Sequence, residues 1–214
     1  MVKENHGGLE YPVQPAAAIG DNGPMAAKGK RTARAGGVRI IAGRWRGRRI
    51  DVPDAEATRP TPDRVRETLF NWLAPLLPGA RCLDLYAGTG VLGLEALSRG
   101  AESVLFVEQA VGVAREIQSS LAALDATGGR VITADADAFL RGSPQACDVV
   151  FLDPPYGTPL GNLCTLLAGG WLAPRARIYL EWNRKQSPPD LPDDWRLLRD
   201  QTAGQVRFAL AERG

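Results

Sequence analysis

The sequence predicts a doubly wound α/β domain that follows a tail and a basic N-terminal extension. From residue 79 onward, short apolar runs alternate with stretches of helical apolar spacing, a pattern typical of parallel sheets covered by helices. The run DVVFL at 148–152 is apolar on both faces, as expected for a central parallel strand. The chain has 214 residues, of which 44% are hydrophobic and 23% charged. This composition excludes collagen, a coiled coil and disorder throughout.

The first part of the sequence indicates a tail and a basic surface. Residues 1–36 mix Gly, Ala, Pro, Asn and Lys without periodicity, so we expect them to be disordered. Residues 28–66 contain 12 Lys and Arg against four acids, which predicts a face suited to nucleic acid. Because no apolar block resembles a signal peptide or a membrane span, we expect a cytoplasmic protein without membrane contact. We divide the chain into the tail, a basic hairpin and helix at 37–78, and an α/β domain at 79–214.

The basic extension is predicted to form a hairpin and a helix. Strands at 38–41 and 48–52 flank Gly43-Arg44-Trp45-Arg46-Gly47, a tip that we expect to present Arg-Trp-Arg to solvent. Thr61 and Pro62 then supply an N-cap and a proline at the first helical position. The apolar residues that follow have helical spacing and form one stripe: Val65, Leu69, Trp72, Leu73 and Leu76. Arg64 and Arg66 are offset from this stripe.

The α/β domain continues with strands and helices in turn. The predicted strands are 81–86, 103–107, 130–133, 148–152, 177–181, 195–199 and 206–210, and the predicted helices are about 91–99, 110–124 and 159–169. We expect the last two strands to form a hairpin at the edge of the sheet. The cysteines, Cys82, Cys147 and Cys164, lie in apolar surroundings without CxxC spacing, which predicts buried thiols.

Ligands of open parallel sheets bind beyond the carboxyl ends of the strands, and two of these ends indicate an adenosine-type cofactor. The first carries a glycine-rich loop whose candidate contacts are Asp84, Tyr86, Ala87, Gly88, Thr89, Gly90 and Gly93. The second ends at Glu108, a carboxylate that can accept both hydroxyls of a ribose. Asp84 would repel a dinucleotide pyrophosphate but attract a sulfonium and an ammonium, which favours S-adenosylmethionine. After the next strand, Asp135, beside Ala136, either binds the adenine amine or caps a helix.

The most specific motif is Asp153-Pro154-Pro155-Tyr156, directly after the apolar run at 148–152. Its two prolines stiffen the backbone and remove two N–H donors. The Asp153 carboxylate and the Pro154 carbonyl can both accept from an exocyclic amino group, and the Tyr156 ring offers a face for a planar base. The motif therefore predicts a rigid site for a flat amine, with these four residues as its catalytic set.

These strand-end motifs together resemble a known class of enzyme. DLYAGTGVLG at 84–93, Glu108 and DPPY at 153–156 are similar to the motifs of class I S-adenosylmethionine-dependent methyltransferases that act on exocyclic nucleobase amines. The resemblance implies a Rossmann-like, seven-stranded, mostly parallel sheet with helices on both faces. No set of metal ligands is evident in the sequence, and methyl transfer from a sulfonium requires none.

The extension narrows the resemblance to one family. RIIAG at 39–43, WRGR at 45–48 and RPTPDRVRETLFN at 59–71 resemble the RsmD family, and the similarity runs from about Val38 to the C-terminus. It implies methylation of a small-subunit ribosomal RNA guanine at N2, in a hairpin loop, at position 966 of 16S RNA. It further implies that the hairpin helps to hold RNA and that the substrate is an assembled or assembling 30S particle. We expect the enzyme to be a monomer.

Several side chains are candidates for RNA contact, and several substrates stay open. The predicted phosphate contacts are Arg39, Arg44, Arg46, Arg48, Arg49, Arg59, Arg64 and Arg66, with Trp45 as a stacking platform. Arg64 or Arg66 could instead pair with Glu67 or an acid elsewhere. Adenine N6 in nucleic acid and a glutamine amide in a protein are alternative amine substrates. A dinucleotide-dependent oxidoreductase is disfavoured by Asp84, and a non-catalytic RNA-binding protein is disfavoured by the intact glycine loop and DPPY.

Overall fold

The computed structural model describes residues 37–51 and 61–214, and a seven-stranded sheet forms the centre of this part. In chain order the elements are β1 (Val38–Arg39), β2 (Arg49–Ile50), α1 (Asp63–Leu73), β3 (Arg81–Leu85), α2 (Val91–Ser98), β4 (Ser103–Glu108), α3 (Val111–Ala123), β5 (Gly129–Thr133), α4 (Ala136–Leu140), β6 (Cys147–Leu152), α5 (Leu160–Ala168), β7 (Leu172–Asn183), β8 (Trp195–Ala203) and β9 (Val206–Arg213). The sheet order is β5-β4-β3-β6-β7-β9-β8. The first five strands are parallel, and β9 pairs antiparallel with both β7 and β8. The predicted α/β class, the seven strands and the hairpin at the edge are confirmed.

Most helices form where the apolar spacing predicts them. α2, α3 and α5 begin and end within one residue of the predicted limits. α4 was not predicted, because its five residues are too few to show a helical period. β8 extends to Ala203 rather than the predicted Arg199, since this edge strand is largely exposed and lacks the apolar alternation by which strands are recognised.

The strand register brings the carboxyl ends of four parallel strands to one edge of the sheet. Leu85 on β3 pairs with Val107 on β4 and with Leu152 on β6, and Leu152 pairs with Leu180 on β7. The segments that follow these four strands therefore meet at the same edge, which is where a doubly wound sheet binds its ligands.

β1 and β2 form the predicted hairpin, but its tip packs against the end of α2. The N–H of Arg44 donates to the Ser98 carbonyl (2.7 Å), and the N–H of Trp45 donates to Ser98 Oγ (3.0 Å). Gly43 has a φ of 82°, and a Cβ there would lie 1.9 Å from the Ser98 carbonyl oxygen, so this approach requires glycine. The Trp45 side chain is only 7% exposed and joins the core between the sheet and α2. The prediction that Trp45 faces solvent as a stacking platform is wrong, since burial of its large apolar ring stabilises the hairpin on the sheet.

Thr61 is not the N-cap of α1, contrary to the prediction. α1 begins at Asp63 after Pro62, without a side-chain cap. The Thr61 hydroxyl instead donates to Asp153 Oδ2, at 3.1 Å, across 92 residues of sequence. The predicted apolar stripe is confirmed in part: Val65, Leu69 and Leu73 are buried, Trp72 is partly buried, and Leu76 lies beyond the end of α1 and is exposed. The start of α1 is therefore tied to the carboxyl end of β6.

Three further predictions concern burial and the limits of the described part. The thiols of Cys82, Cys147 and Cys164 are buried and unpaired, as predicted. No helix within residues 37–51 and 61–214 is long and apolar enough to cross a membrane. The tail at 1–36 and Arg59 lie outside the described residues.

Candidate active site

A cleft of about 750 Å³ opens at the carboxyl edge of the sheet, beyond β3, β4, β6 and β7. Four carboxyl side chains line it, from Asp84, Glu108, Asp153 and Glu181. Among the lining residues that the structure describes there is no lysine or arginine. A cationic ligand in the cleft would lower the cost of ionising these carboxyl groups, whereas a pyrophosphate would raise it.

Asp84, on β3, is the most deeply buried of these four residues, with 2% of its surface exposed. Burial raises its pKa well above the usual range, the hydrogen bond from the Gly93 N–H (2.9 Å) opposes this, and the nearby Asp153 and Glu108 charges raise the pKa further. A cation beside Asp84 would offset the cost of its ionisation. This is the electrostatic environment that the sequence analysis inferred for Asp84.

Glu108 is fixed by the glycine-rich loop at the end of β4. Its Oε2 accepts from the Gly88 N–H (3.0 Å), and its Oε1 accepts from the Ala110 N–H (2.8 Å). Each carboxylate oxygen keeps a further lone pair, so the group can still accept from two ligand hydroxyls. The loop residues that line the cleft beside it are Tyr86, Ala87, Gly88 and Thr89.

Gly90 and Gly93 shape the loop and do not line the cleft. Gly90 is the N-cap of α2 and has a φ of 72°, in the left-handed region that favours glycine. A Cβ on Gly93 would lie 2.2 Å from the Phe106 ring, so glycine at this position lets α2 pack closely on β4. Close helix packing, in addition to ligand approach, thus accounts for the glycine pattern.

Asp135 serves as a helix cap, one of the two alternatives left open by the sequence. Its Oδ1 accepts from the Ala138 N–H at 2.9 Å at the start of α4. The side chain is exposed and does not line the cleft, whereas Ala134 and Ala136 on either side do. The backbone around Asp135 therefore forms the wall of the cleft here.

The segment Asp153-Pro154-Pro155-Tyr156 lies at the mouth of the cleft, and all four residues line it. The Pro155 carbonyl accepts from both the N–H (3.2 Å) and the hydroxyl (2.8 Å) of Thr158, which holds the turn. Burial raises the pKa of Asp153 to about 6, and the hydrogen bond from Thr61 opposes this rise. The Tyr156 ring is 54% exposed at the entrance.

Glu181, two residues before the end of β7, is a lining residue that the sequence analysis missed. Its side chain is 6% exposed, and its Oε2 accepts from the Tyr179 hydroxyl at 2.5 Å. Burial raises the pKa of Glu181 to about 8, with a further contribution from the neighbouring Asp153 charge. Glu181 is the last residue of the predicted strand 177–181, and this position at a strand end is the signal that could have identified it.

The arginines predicted to contact RNA divide into an exposed group and one buried member. The exposed ones are Arg39, Arg44, Arg46, Arg48, Arg49 and Arg64. Arg66 is fully buried, where it donates to Glu95 Oε1 (2.8 Å) and to Asp63 Oδ1 (2.6 Å). Its predicted RNA contact is therefore wrong, and the alternative, a pair with an acid elsewhere, is confirmed. Glu95, on α2, balances the charge that burial would otherwise make costly.

Comparison with known proteins adds independent findings. The family model described as conserved hypothetical protein 95 matches residues 38–212. Ribosomal RNA small subunit methyltransferase D of Escherichia coli is 46% identical over 182 residues, which cover 83% of this chain and 91% of that protein. The protein of the same name from Haemophilus influenzae is 44% identical and covers 82% of this chain and 93% of its own length.

A solved structure extends the similarity to three dimensions. The structure of yhhF from Escherichia coli superposes with a TM-score of 0.79 at 44% identity, and covers 83% of this chain and 98% of that one. The range matched by the family model, residues 38–212, contains the glycine-rich loop, Glu108 and the DPPY segment. The chain therefore belongs to the conserved hypothetical protein 95 family, the family of the RsmD-type methyltransferases.

Proposed function

We propose that the protein transfers a methyl group from S-adenosylmethionine to the exocyclic N2 amine of a guanine in small-subunit ribosomal RNA. The observation that carries the proposal is the cleft itself, which joins an anionic cofactor side, at Asp84 and Glu108, to the DPPY turn. The relatives named ribosomal RNA small subunit methyltransferase D support the choice of substrate.

The residues of the cleft fit the proposed cofactor. Glu108 would accept the ribose hydroxyls, since both of its oxygens are already oriented by backbone N–H groups. Asp84 would face the cationic amino acid part, where a positive charge offsets the desolvation of this buried carboxyl. The backbone of 134–136 would border the adenine. When bound, S-adenosylmethionine supplies an electrophilic methyl group on a sulfonium.

Asp153 and the Pro154 carbonyl would orient the guanine amine. Guanine N2 is a weak nucleophile, because its lone pair is delocalised into the ring. By accepting the two N2 hydrogens, these groups would aim the lone pair at the methyl group and stabilise positive charge on nitrogen. The carbon–sulfur bond breaks as the carbon–nitrogen bond forms, the thioether leaves, and N2 then loses its acidified proton. Thr61 holds Asp153 Oδ2, which fixes the direction of the carboxyl. Positioning of this kind can lower the barrier by about 7 to 11 kcal/mol.

The base would leave its stack to reach this turn. A base in a hairpin loop costs less to extrude than a paired base, and the exposed Tyr156 ring offers it a stacking face. The exposed arginines of the hairpin and of α1 would bind the flanking phosphates. We assign the target to position 966 of 16S RNA in an assembled or assembling 30S particle, acted on by a cytoplasmic monomer.

The proposal is tested by nucleoside mass spectrometry. Small subunits that lack their native modifications are incubated with the protein and labelled S-adenosylmethionine. Label in N2-methylguanosine supports the proposal, whereas label in N6-methyladenosine or in protein contradicts the substrate. Asp153→Ala should abolish incorporation while cofactor binding by calorimetry persists. The matched control Asp193→Asn, on an exposed loop, should leave incorporation unchanged.

A further inference from the structure

We propose that Glu181 reads the N1–H of the target base, so that Asp153 and Glu181 together select guanine over a purine that lacks this hydrogen. The inference rests on the proposed function and deepens it, because the chemistry of the amine alone does not distinguish guanine from other 2-aminopurines. It assigns a base-recognition role to a buried carboxyl that methyl transfer itself does not require.

The two carboxyl groups lie abreast on neighbouring strands. Leu152 on β6 pairs with Leu180 on β7, so the next residues, Asp153 and Glu181, stand side by side at the carboxyl edge. Neighbouring strands are about 4.8 Å apart, and both side chains line the same cleft. The two carboxyls do not hydrogen-bond to each other, and Thr61 and Tyr179 are their respective donors among the described residues. Each carboxyl therefore keeps one oxygen for a ligand.

Among the described residues, Glu181 Oε1 accepts no hydrogen bond from a side chain, which leaves it for a ligand donor. Tyr179 occupies Oε2, and the β9 residue in register with Glu181 is the apolar Phe208. Besides Tyr179, the titratable group that acts on Glu181 is Asp153, on β6. Asp153 also acts on Asp84, on β3. No described lysine or arginine forms an ion pair with Glu181. Burial favours the protonated form of this carboxyl in the free protein, and a ligand N–H that donates to it favours the ionised form, which accepts.

Three neighbouring acceptors at this edge equal in number the donors that guanine presents along N1 and N2. Glu181 is beside Asp153 on the next strand, Pro154 follows Asp153 in the chain, and all three residues line the cleft. On guanine, the N2 hydrogens follow the N1–H along one edge of the ring. Glu181 would accept from N1–H, Asp153 from the adjacent N2 hydrogen, and Pro154 from the outer one. A purine without N1–H would place a nitrogen lone pair against the Glu181 carboxyl, which is repulsive.

The test compares guanine with 2-aminopurine, which keeps the amine but has no N1–H. Small-subunit particles are reconstituted with ribosomal RNA that carries either base at the methylated position. At a pH above about 8, where Glu181 is ionised, the wild-type protein should prefer guanine by about 10- to 100-fold in kcat/KM, as expected for one hydrogen bond to a charged group. In Glu181→Gln this ratio should fall at least about tenfold, because the amide can accept from N1–H or donate to a bare N1.

A control and a second readout separate the outcomes. Glu102→Gln, at an exposed position outside the cleft, should keep the wild-type ratio. If Glu181→Gln is too slow to assay, the ratio of particle dissociation constants in S-adenosylhomocysteine replaces kcat/KM. An unchanged ratio in Glu181→Gln overturns the role of Glu181 while the proposed function stands. A wild-type protein that methylates neither particle removes the proposed function, and this inference with it.

Discussion

Replacement of Glu181 by glutamine should stabilise the protein by an amount that grows with pH. Burial and the Asp153 charge raise the pKa of Glu181 from 4.5 to about 8 in the folded protein. Between these pH values the folded protein holds a proton that the unfolded chain has lost, so the free energy of unfolding falls as pH rises. Glutamine is neutral throughout, and its amide oxygen can still accept from the Tyr179 hydroxyl.

The size of the effect follows from the same interval. The difference in the free energy of unfolding should be close to zero below pH 4.5 and grow by about 1.4 kcal/mol per pH unit up to about pH 8, where it stays constant. The interval sets a ceiling of about 5 kcal/mol. Urea denaturation of both proteins below, within and above this pH range measures the difference.

Asp148→Asn is the control of opposite sign. The hydrogen bond from Arg81 lowers the pKa of Asp148, so this carboxylate adds stability above its unfolded pKa, which is lost as pH falls through the folded value. Asp148→Asn should therefore destabilise the protein at neutral pH and lose its effect in acid. A Glu181→Gln difference that is negative, or that does not change with pH, would refute the view that the folded protein holds Glu181 protonated.

Three further predictions concern packing, the buried ion pair and RNA affinity. Gly93→Ala should lower the free energy of unfolding by about 1 to 3 kcal/mol, because the new Cβ would meet the Phe106 ring. The control Gly112→Ala, on α3 where the space is open, should be neutral or stabilising. Equal effects of the two variants in urea denaturation would contradict this. Arg66→Met should cost about 3 kcal/mol by leaving Glu95 short of a partner, measured in the same way, and a cost below that of a surface substitution would exclude the pair as a determinant of stability. Arg64→Met should change the free energy of unfolding by no more than about 0.5 kcal/mol, because Arg64 is exposed. It should weaken RNA binding, and in filter binding the slope of log K against log salt should be smaller in magnitude by about 0.7. An unchanged slope would exclude Arg64 from the RNA contacts.

The parts of the site at or next to the end of a strand could be predicted from the sequence. The positions of Asp84, Glu108 and Asp153 depend only on where β3, β4 and β6 end, and apolar runs locate those ends. The rule that parallel strands share a carboxyl edge then brings the three together without any knowledge of side-chain contacts. The cleft that these residues line is the result.

Contacts between distant parts of the chain could not be predicted in this way. Thr61 reaches Asp153 across 92 residues, and locally its sequence is that of an ordinary helix cap. Arg66 belongs to a run of basic residues, and only the fold reveals that Glu95, 29 residues away, pairs with it. Trp45 lies between arginines in a tip typical of an exposed turn, yet its N–H donates to Ser98 of α2 and its side chain is buried in the core. In each case the deciding partner is absent from the local sequence.

These distant contacts converge on α2, which connects the basic hairpin to the cleft. Glu95 accepts from the Ile41 N–H of the hairpin at 2.7 Å and from the Arg66 guanidinium of α1, while Ser98 holds the tip of the hairpin. The other end of α2 starts at Gly90, directly after the loop that lines the cleft. A helix of eight residues spans about 12 Å. The hydrogen bonds from the hairpin to Glu95 and Ser98 therefore tie the hairpin to the helix that begins beside the cleft. Rigid placement of this kind reduces the ordering cost of RNA binding, because the protein side of the contact is already arranged when the base enters the cleft.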